Sequence, residues 1–155
     1  MMSAYVESMQ TIVSEYRKSD MPWPASAKEI AAWAIEEGHW EPHRSKILEQ
    51  CADDLSRAMR EEYITDPQGR RVRAKHAARI LQHGEQKMLW DDIRHASRDH
   101  MHRAFQLRRN QIVGDCRQLR TDVDSFNDNA NDGEPIQMVF DFTRDLEELE
   151  ALASA

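Results

Sequence analysis

Apolar residues step by three or four along the first part of the chain, and that period predicts helices. From Ala4 to Lys18, Val6, Met9, Ile12, Val13 and Tyr16 share one stripe. The segment SDMPWPAS then interrupts the period, because two closely spaced prolines cannot continue a helix. Ser26 is an N-cap candidate for AKEIAAWAIEEG, with Glu29 at the capping-box position. This second helix, 27–37, would bury Ile30, Trp33 and Ala34 and end at Gly38. After HWEPHR, a third run from Ser45 to about Tyr63 keeps Ile47, Leu48, Cys51, Leu55, Ala58 and Met59 on one face.

The period then shortens. DPQG suits a type I turn, with Asp66 first, Pro67 second and Gly69 fourth. A three-residue loop with Gly69 in a bulge pairs Asp66 with Arg70 and sets Ile64 opposite Val72. A two-residue loop would instead set Ile64 opposite Arg71, a poorer match for a half-buried ribbon. The first register places Tyr63, Thr65, Arg71, Arg73 and Lys75 together on the other face.

Beyond Lys75 a helical pattern returns, loosened at Gly84. From Glu85 to about Phe126 the steps run through Trp90, Ile93, Ser97, Met101, Phe105, Arg108, Ile112, Cys116, Leu119, Val123 and Phe126. A helix of that length needs a kink or a partner, and a second copy of the chain is the simplest partner. Phe105, Ile112, Leu119 and Phe126 are therefore the expected dimerisation residues. NDNANDGEP reads as a loop, IQMVFDF as a short strand, and TRDLEELEALASA as an acidic helix capped by Thr143. The expected divisions are 1–83, a long helical segment at 84–127, and an acidic C-terminal part at 128–155.

Charge sharpens this picture. The formal net charge is -7, yet residues 84–120 carry 8 basic against 5 acidic side chains, and 121–155 carry 1 against 10. The acidity belongs to the C-terminal part, so the low overall charge says little against an anionic partner. With 40% hydrophobic residues and no long apolar run, the chain reads as a soluble protein without a membrane span. MMSAYVESMQ lacks the basic start and apolar core of a secretory signal. Cys51 and Cys116 have no CxxC spacing, which points to a reducing, cytoplasmic location.

Three helices followed by a basic hairpin resemble a winged helix-turn-helix domain over about residues 4–76. KEIAAWAIEEGHW also resembles the second-helix region of HARE-type winged helices, with its E-I…A-I-E-x-G-x-W pattern. The HARE pattern continues with a longer, glycine-containing turn; here the next helix follows Trp40 within about five residues. The resemblance implies a winged helix over that stretch; with the long helix and the short C-terminal strand and helix read from the pattern, the expected fold is mainly α. It further implies a DNA-binding protein, such as a transcriptional or mobile-element accessory factor, and the stripe on the long helix adds the expectation of a homodimer.

Arg70, Arg71, Arg73 and Lys75 are the expected duplex-DNA contacts, since clustered cations can meet successive phosphates. A charged edge that resists strand-to-strand association is the plainer explanation. Lys46, Arg57 and Arg60 on the preceding helix are secondary candidates, on a face also holding Glu49 and Asp53. There an Asp53–Arg57 pair at i,i+4 would mark an ordinary solvated surface. Asp92, His95, Asp99 and His102 would lie along one face of the long helix and could ligate a metal. Arg94, Arg98 and Arg103 beside them favour an ion-pair face, so no metal or cofactor is expected. Trp33 and Trp40 suit a core, and Trp90 a helix-packing anchor. QMVFDF loosely resembles peptides that bind the bacterial sliding clamp, although a structural role is preferred. P-loop, GxGxxG, HExxH and GxSxG motifs are lacking, which argues against an enzyme. A protein-interaction adaptor without nucleic-acid binding is the alternative.

Overall fold

Ser26 opens the best-defined helix of the first part of the molecule. Its Oγ accepts from the Glu29 N–H at 3.1 Å, while Glu29 Oε2 accepts from the Ser26 N–H at 3.3 Å. This computed structural model describes residues 3–154 and is mainly helical, with two small antiparallel hairpins. The chain divides between Ser56 and Arg57 into two compact units.

In the first unit, helix α1 spans Ala4–Lys18 and helix α2 spans Ala27–Glu36. Gly38 closes α2 at φ 74°, with the His39 N–H on the Ala34 carbonyl at 2.8 Å, a Schellman-type end. Ile12, Tyr16, Trp33 and Ala34 form the core, with Ala25, Ile30 and Trp40 packed against it. Tyr16 meets Trp33 edge-on at 5.4 Å, and its hydroxyl donates to the Pro22 carbonyl at 2.8 Å. Burying that hydroxyl is tolerable because it keeps this acceptor. Val6, Met9 and Val13 of the expected α1 stripe remain exposed.

The third helix begins later than its pattern suggested. A 3-10 turn at Arg44–Lys46 leads into α3, Ile47–Arg60, which straddles the division and buries none of its residues. No ion pair joins Asp53 to Arg57.

The second unit opens with β1 (Tyr63–Thr65) and β2 (Arg71–Arg73), paired in the expected register with Ile64 opposite Val72. Asp66 N–H donates to the Arg70 carbonyl at 2.9 Å, and Gly69 takes φ 84°, as the bulged three-residue loop requires.

The expected helix across Lys75 and beyond is overturned here. Residues Lys75–Gln82 form β3 and Glu85–Asp92 form β4, joined at His83 and Gly84. Both turn residues have positive φ, 51° and 78°, which is what a two-residue type I′ hairpin demands. Ala74, His76 and Ala78 are buried in alternation, a period of two hidden under alanines that favour helices. Helix α4 starts only at Arg98 and runs unbroken through Gly114 to Asn129; Ser97 caps it through the His100 N–H at 3.1 Å. It packs on β3, where Ala78 and Ala104 are fully buried and permit close approach.

IQMVFDF is not a strand, a second correction. It has no ladder partner, and at Ile136 the Asn127 side chain takes up both main-chain groups. That carboxamide accepts from the Ile136 N–H at 2.9 Å and donates to the Ile136 carbonyl at 2.8 Å. Arg120 lies over the Phe140 ring at 5.0 Å, so the segment returns along α4. Helix α5, Thr143–Ala153, follows; Phe142 and not Thr143 is its N-cap, without a side-chain capping bond, and the Thr143 N–H donates to Asp141 Oδ1 at 3.1 Å.

If Asn127 fixes this return, Asn127→Ala removes both bonds to Ile136 and a third from the Asn131 side chain at 2.9 Å, each of the order of 1 kcal/mol before solvent competition. Amide exchange across residues 134–142 should quicken several-fold while α4 keeps its protection. Unchanged exchange would show that the aromatic contacts alone hold the segment.

Candidate nucleic-acid interface

The turn that joins β1 to β2 also consumes part of the hairpin's charge. Asp66 Oδ1 accepts from the Gln68 and Arg70 N–H groups at 3.0 and 2.7 Å, and Oδ2 pairs with Arg70 Nε at 2.7 Å. The Arg70 backbone N–H is the largest influence holding the Asp66 carboxyl below its ordinary range. Arg70 is thus a turn brace first. Arg71 stacks over Tyr63 at 4.3 Å on the face shared by Tyr63, Thr65 and Arg73.

Lys75 does not join that face. The chain passes from one hairpin to the next at Ala74, which is fully buried. Lys75 Nζ lies 2.6 Å from Glu62 Oε2 and 3.4 Å from Asp92 Oδ2, and these contacts raise its pKa, the Glu62 bond most strongly. Asp92 also takes Arg94 Nη2 at 2.6 Å and the Arg94 N–H at 2.9 Å; its carboxyl is held far below the ordinary range, first by the Arg94 side chain.

Among the helix candidates, Lys46 lies in the first unit, pairs with Glu49 at 3.0 Å and sits 5.2 Å from the Tyr5 ring. Arg57 and Arg60 lie in the second unit. Among the described residues no ion pair reaches Arg57, Arg60, Arg71 or Arg73.

Two residues outside the expected set join this group. Arg108 of α4 is half-buried, makes no ion pair among the described residues, and has its pKa lowered first by burial and then by Arg73. Its signal in the sequence was its place in an otherwise apolar stripe. His76 is 4% exposed; its Nε2–H donates to the Arg73 carbonyl at 2.8 Å, and its own carbonyl accepts from His100 Nε2 at 2.9 Å. Since Nε2 holds the proton in the neutral ring, Nδ1 is a bare acceptor, and it is buried without a partner.

Asp92, His95, Asp99 and His102 do not share a helix: Asp92 ends β4, and Asp99 pairs with Arg103 at 2.9 Å on α4. Among the described residues, no three His, Cys, Asp or Glu side chains converge as a metal would require. Trp90 lies on β4 and lines a cavity instead of anchoring helices. Among the described residues no helix is long and apolar enough to cross a membrane. No family model, curated protein or solved structure matches the chain.

Burial lowers the His76 pKa below its ordinary 6.5; Arg108, Arg73 and His100 act in the same direction, and the bond to the Arg73 carbonyl opposes them. The unfolded chain therefore takes up this proton at a higher pH than the folded one. Stability from the neutral ring is complete above about pH 6.5 and falls as the solution is acidified through that value. Melting of the second unit should drop between pH 7.5 and 5.5. The drop should shrink in His76→Phe, whatever that variant's absolute stability. An equal pH slope in both proteins would remove His76 as its cause.

Proposed function

We propose that the chain is a small DNA-binding protein of winged-helix type, regulatory or accessory in role, that contacts duplex phosphates through β1, β2 and the adjoining arginines. The observation that carries this reading is that Arg71 and Arg73 share one face of the hairpin and, like Arg57 and Arg60 at the end of α3, are among the arginines that form no ion pair with a carboxylate. Edge protection needs charge but has no use for Arg60 and Arg73 lining one cavity while Arg71 shares the hairpin face of Arg73. Forked guanidiniums match phosphate geometry and release counterions on binding. Because Arg70 and Lys75 are engaged internally, Arg71 and Arg73 carry the contact at the hairpin.

Arg71→Ala combined with Arg73→Ala should weaken binding to random duplex DNA and flatten the salt dependence by about two phosphate contacts. The measurement is a titration at several salt concentrations. An unchanged slope with native circular dichroism would eliminate the hairpin as the contact surface.

We further propose self-association through α4. Phe105, Ile112, Leu119 and Phe126 are each 45–55% exposed on that helix. The chain exposes 13287 Å², whereas two separately folded compact units of its total mass would expose about 10,000 Å². The excess is more than the ~1,600 Å² a standard interface buries. Two protomers would present two hairpins, as two-fold DNA binders do. In that arrangement Ile112→Asp should convert a dimer to a monomer in sedimentation at micromolar concentration. A wild type that is monomeric at every concentration removes the dimer. Together with absent DNA binding, it favours the adaptor reading, which the exposed Ile47, Leu48 and Leu55 of α3 also support.

A further inference from the structure

Residues of β2, β3, β4 and α4, with Arg60 from the end of α3, surround a cavity of about 280 Å³. Its lining divides by chemistry. Arg60, Arg73 and Arg108 supply positive charge with no carboxylate in contact, while Lys75 is already satisfied by Glu62 and Asp92. Arg73 and Arg108 line this same cavity, where burial first and the Arg73 charge second lower the Arg108 pKa. Like charges brought together at a partly desolvated site cost free energy that a bound anion removes.

The space exceeds what an oxyanion alone would occupy, being several times the ~30 Å³ share of a water molecule. Met88, Trp90, Leu107 and Ile112 make much of the remaining wall apolar, and Trp90 offers an aromatic surface for stacking. Gln111 and Asp115 add hydrogen-bonding groups, and Asp115 pairs with none of the arginines. His76 completes the wall.

We propose that this cavity binds a single nucleotide, with its phosphate on Arg73 and Arg108 and its base against Trp90. The sugar hydroxyls are donors for Asp115. The same chemistry is offered by a free nucleotide and by the terminal nucleotide of a single strand. Neither depends on the duplex contact proposed above, because an unpaired base is required to enter.

Calorimetric titration of the full chain with adenosine 5′-monophosphate, adenosine, inorganic phosphate and a 5′-phosphorylated single-stranded trinucleotide tests the site. The nucleotide should bind at least tenfold tighter than adenosine or phosphate and should quench the fluorescence of Trp90, a change lost in Trp90→Phe. Arg108→Gln should weaken nucleotide binding at least tenfold, yet melt no lower than the parent, since it relieves repulsion from Arg73. Arg73→Gln gives an independent check should Arg108→Gln fail to fold. Tighter binding of the trinucleotide assigns the site to strand ends; equal or weaker binding assigns it to free nucleotides. Binding of phosphate as tight as that of the nucleotide overturns the proposal, as does no binding of either nucleotide ligand. Duplex affinity measured in parallel separates the two readings: nucleotide binding without duplex binding retains the cavity and rejects the DNA contact.

Discussion

Ala74 is the residue on which the second unit turns. Its N–H continues the first hairpin by donating to the Glu62 carbonyl at 2.9 Å, and its carbonyl receives the Ile93 N–H at 2.8 Å beside the second. One fully buried residue therefore belongs to both ladders, and its small side chain leaves no room for alternatives. From this point Lys75 is directed to Glu62 and Asp92, while His76 is directed into the interior against Phe105 at 5.5 Å. The first hairpin and the platform beneath α4 share a covalent corner, and the candidate site lies around that corner.

Much of the local structure was legible because it depends on neighbours in sequence. The capping box at Ser26, the glycine end at Gly38 and the Asp66–Gly69 turn are short-range devices whose residues state their own geometry. The register of Ile64 on Val72 followed from the same logic, since a half-buried ribbon must set apolar against apolar.

What the sequence concealed depends on distant partners. KHAARILQ contains alanines and an arginine that suit a helix, and only packing beneath α4 makes Ala78 a strand residue. The turn at His83 and Gly84 was visible as a weak point but not as a reversal, since histidine seldom advertises a positive φ. IQMVFDF has strand composition but receives its main-chain partner from one asparagine side chain, which no periodicity records. Arg108 and His76 were hidden for the same reason: their role arises where β3 and α4 meet.

The settlement of charge within the second unit has a chemical consequence. Of its two lysines, Lys75 is spent on Glu62 and Asp92, and Lys87 has Glu85 3.9 Å away. Every cation left unpaired there among the described residues is an arginine. The outward face therefore offers planar, weakly hydrated forks in place of compact, strongly hydrated points. Such a surface discriminates by the shape of an anion as well as by its charge. Exchange of its arginines for lysines would preserve the field while erasing that discrimination.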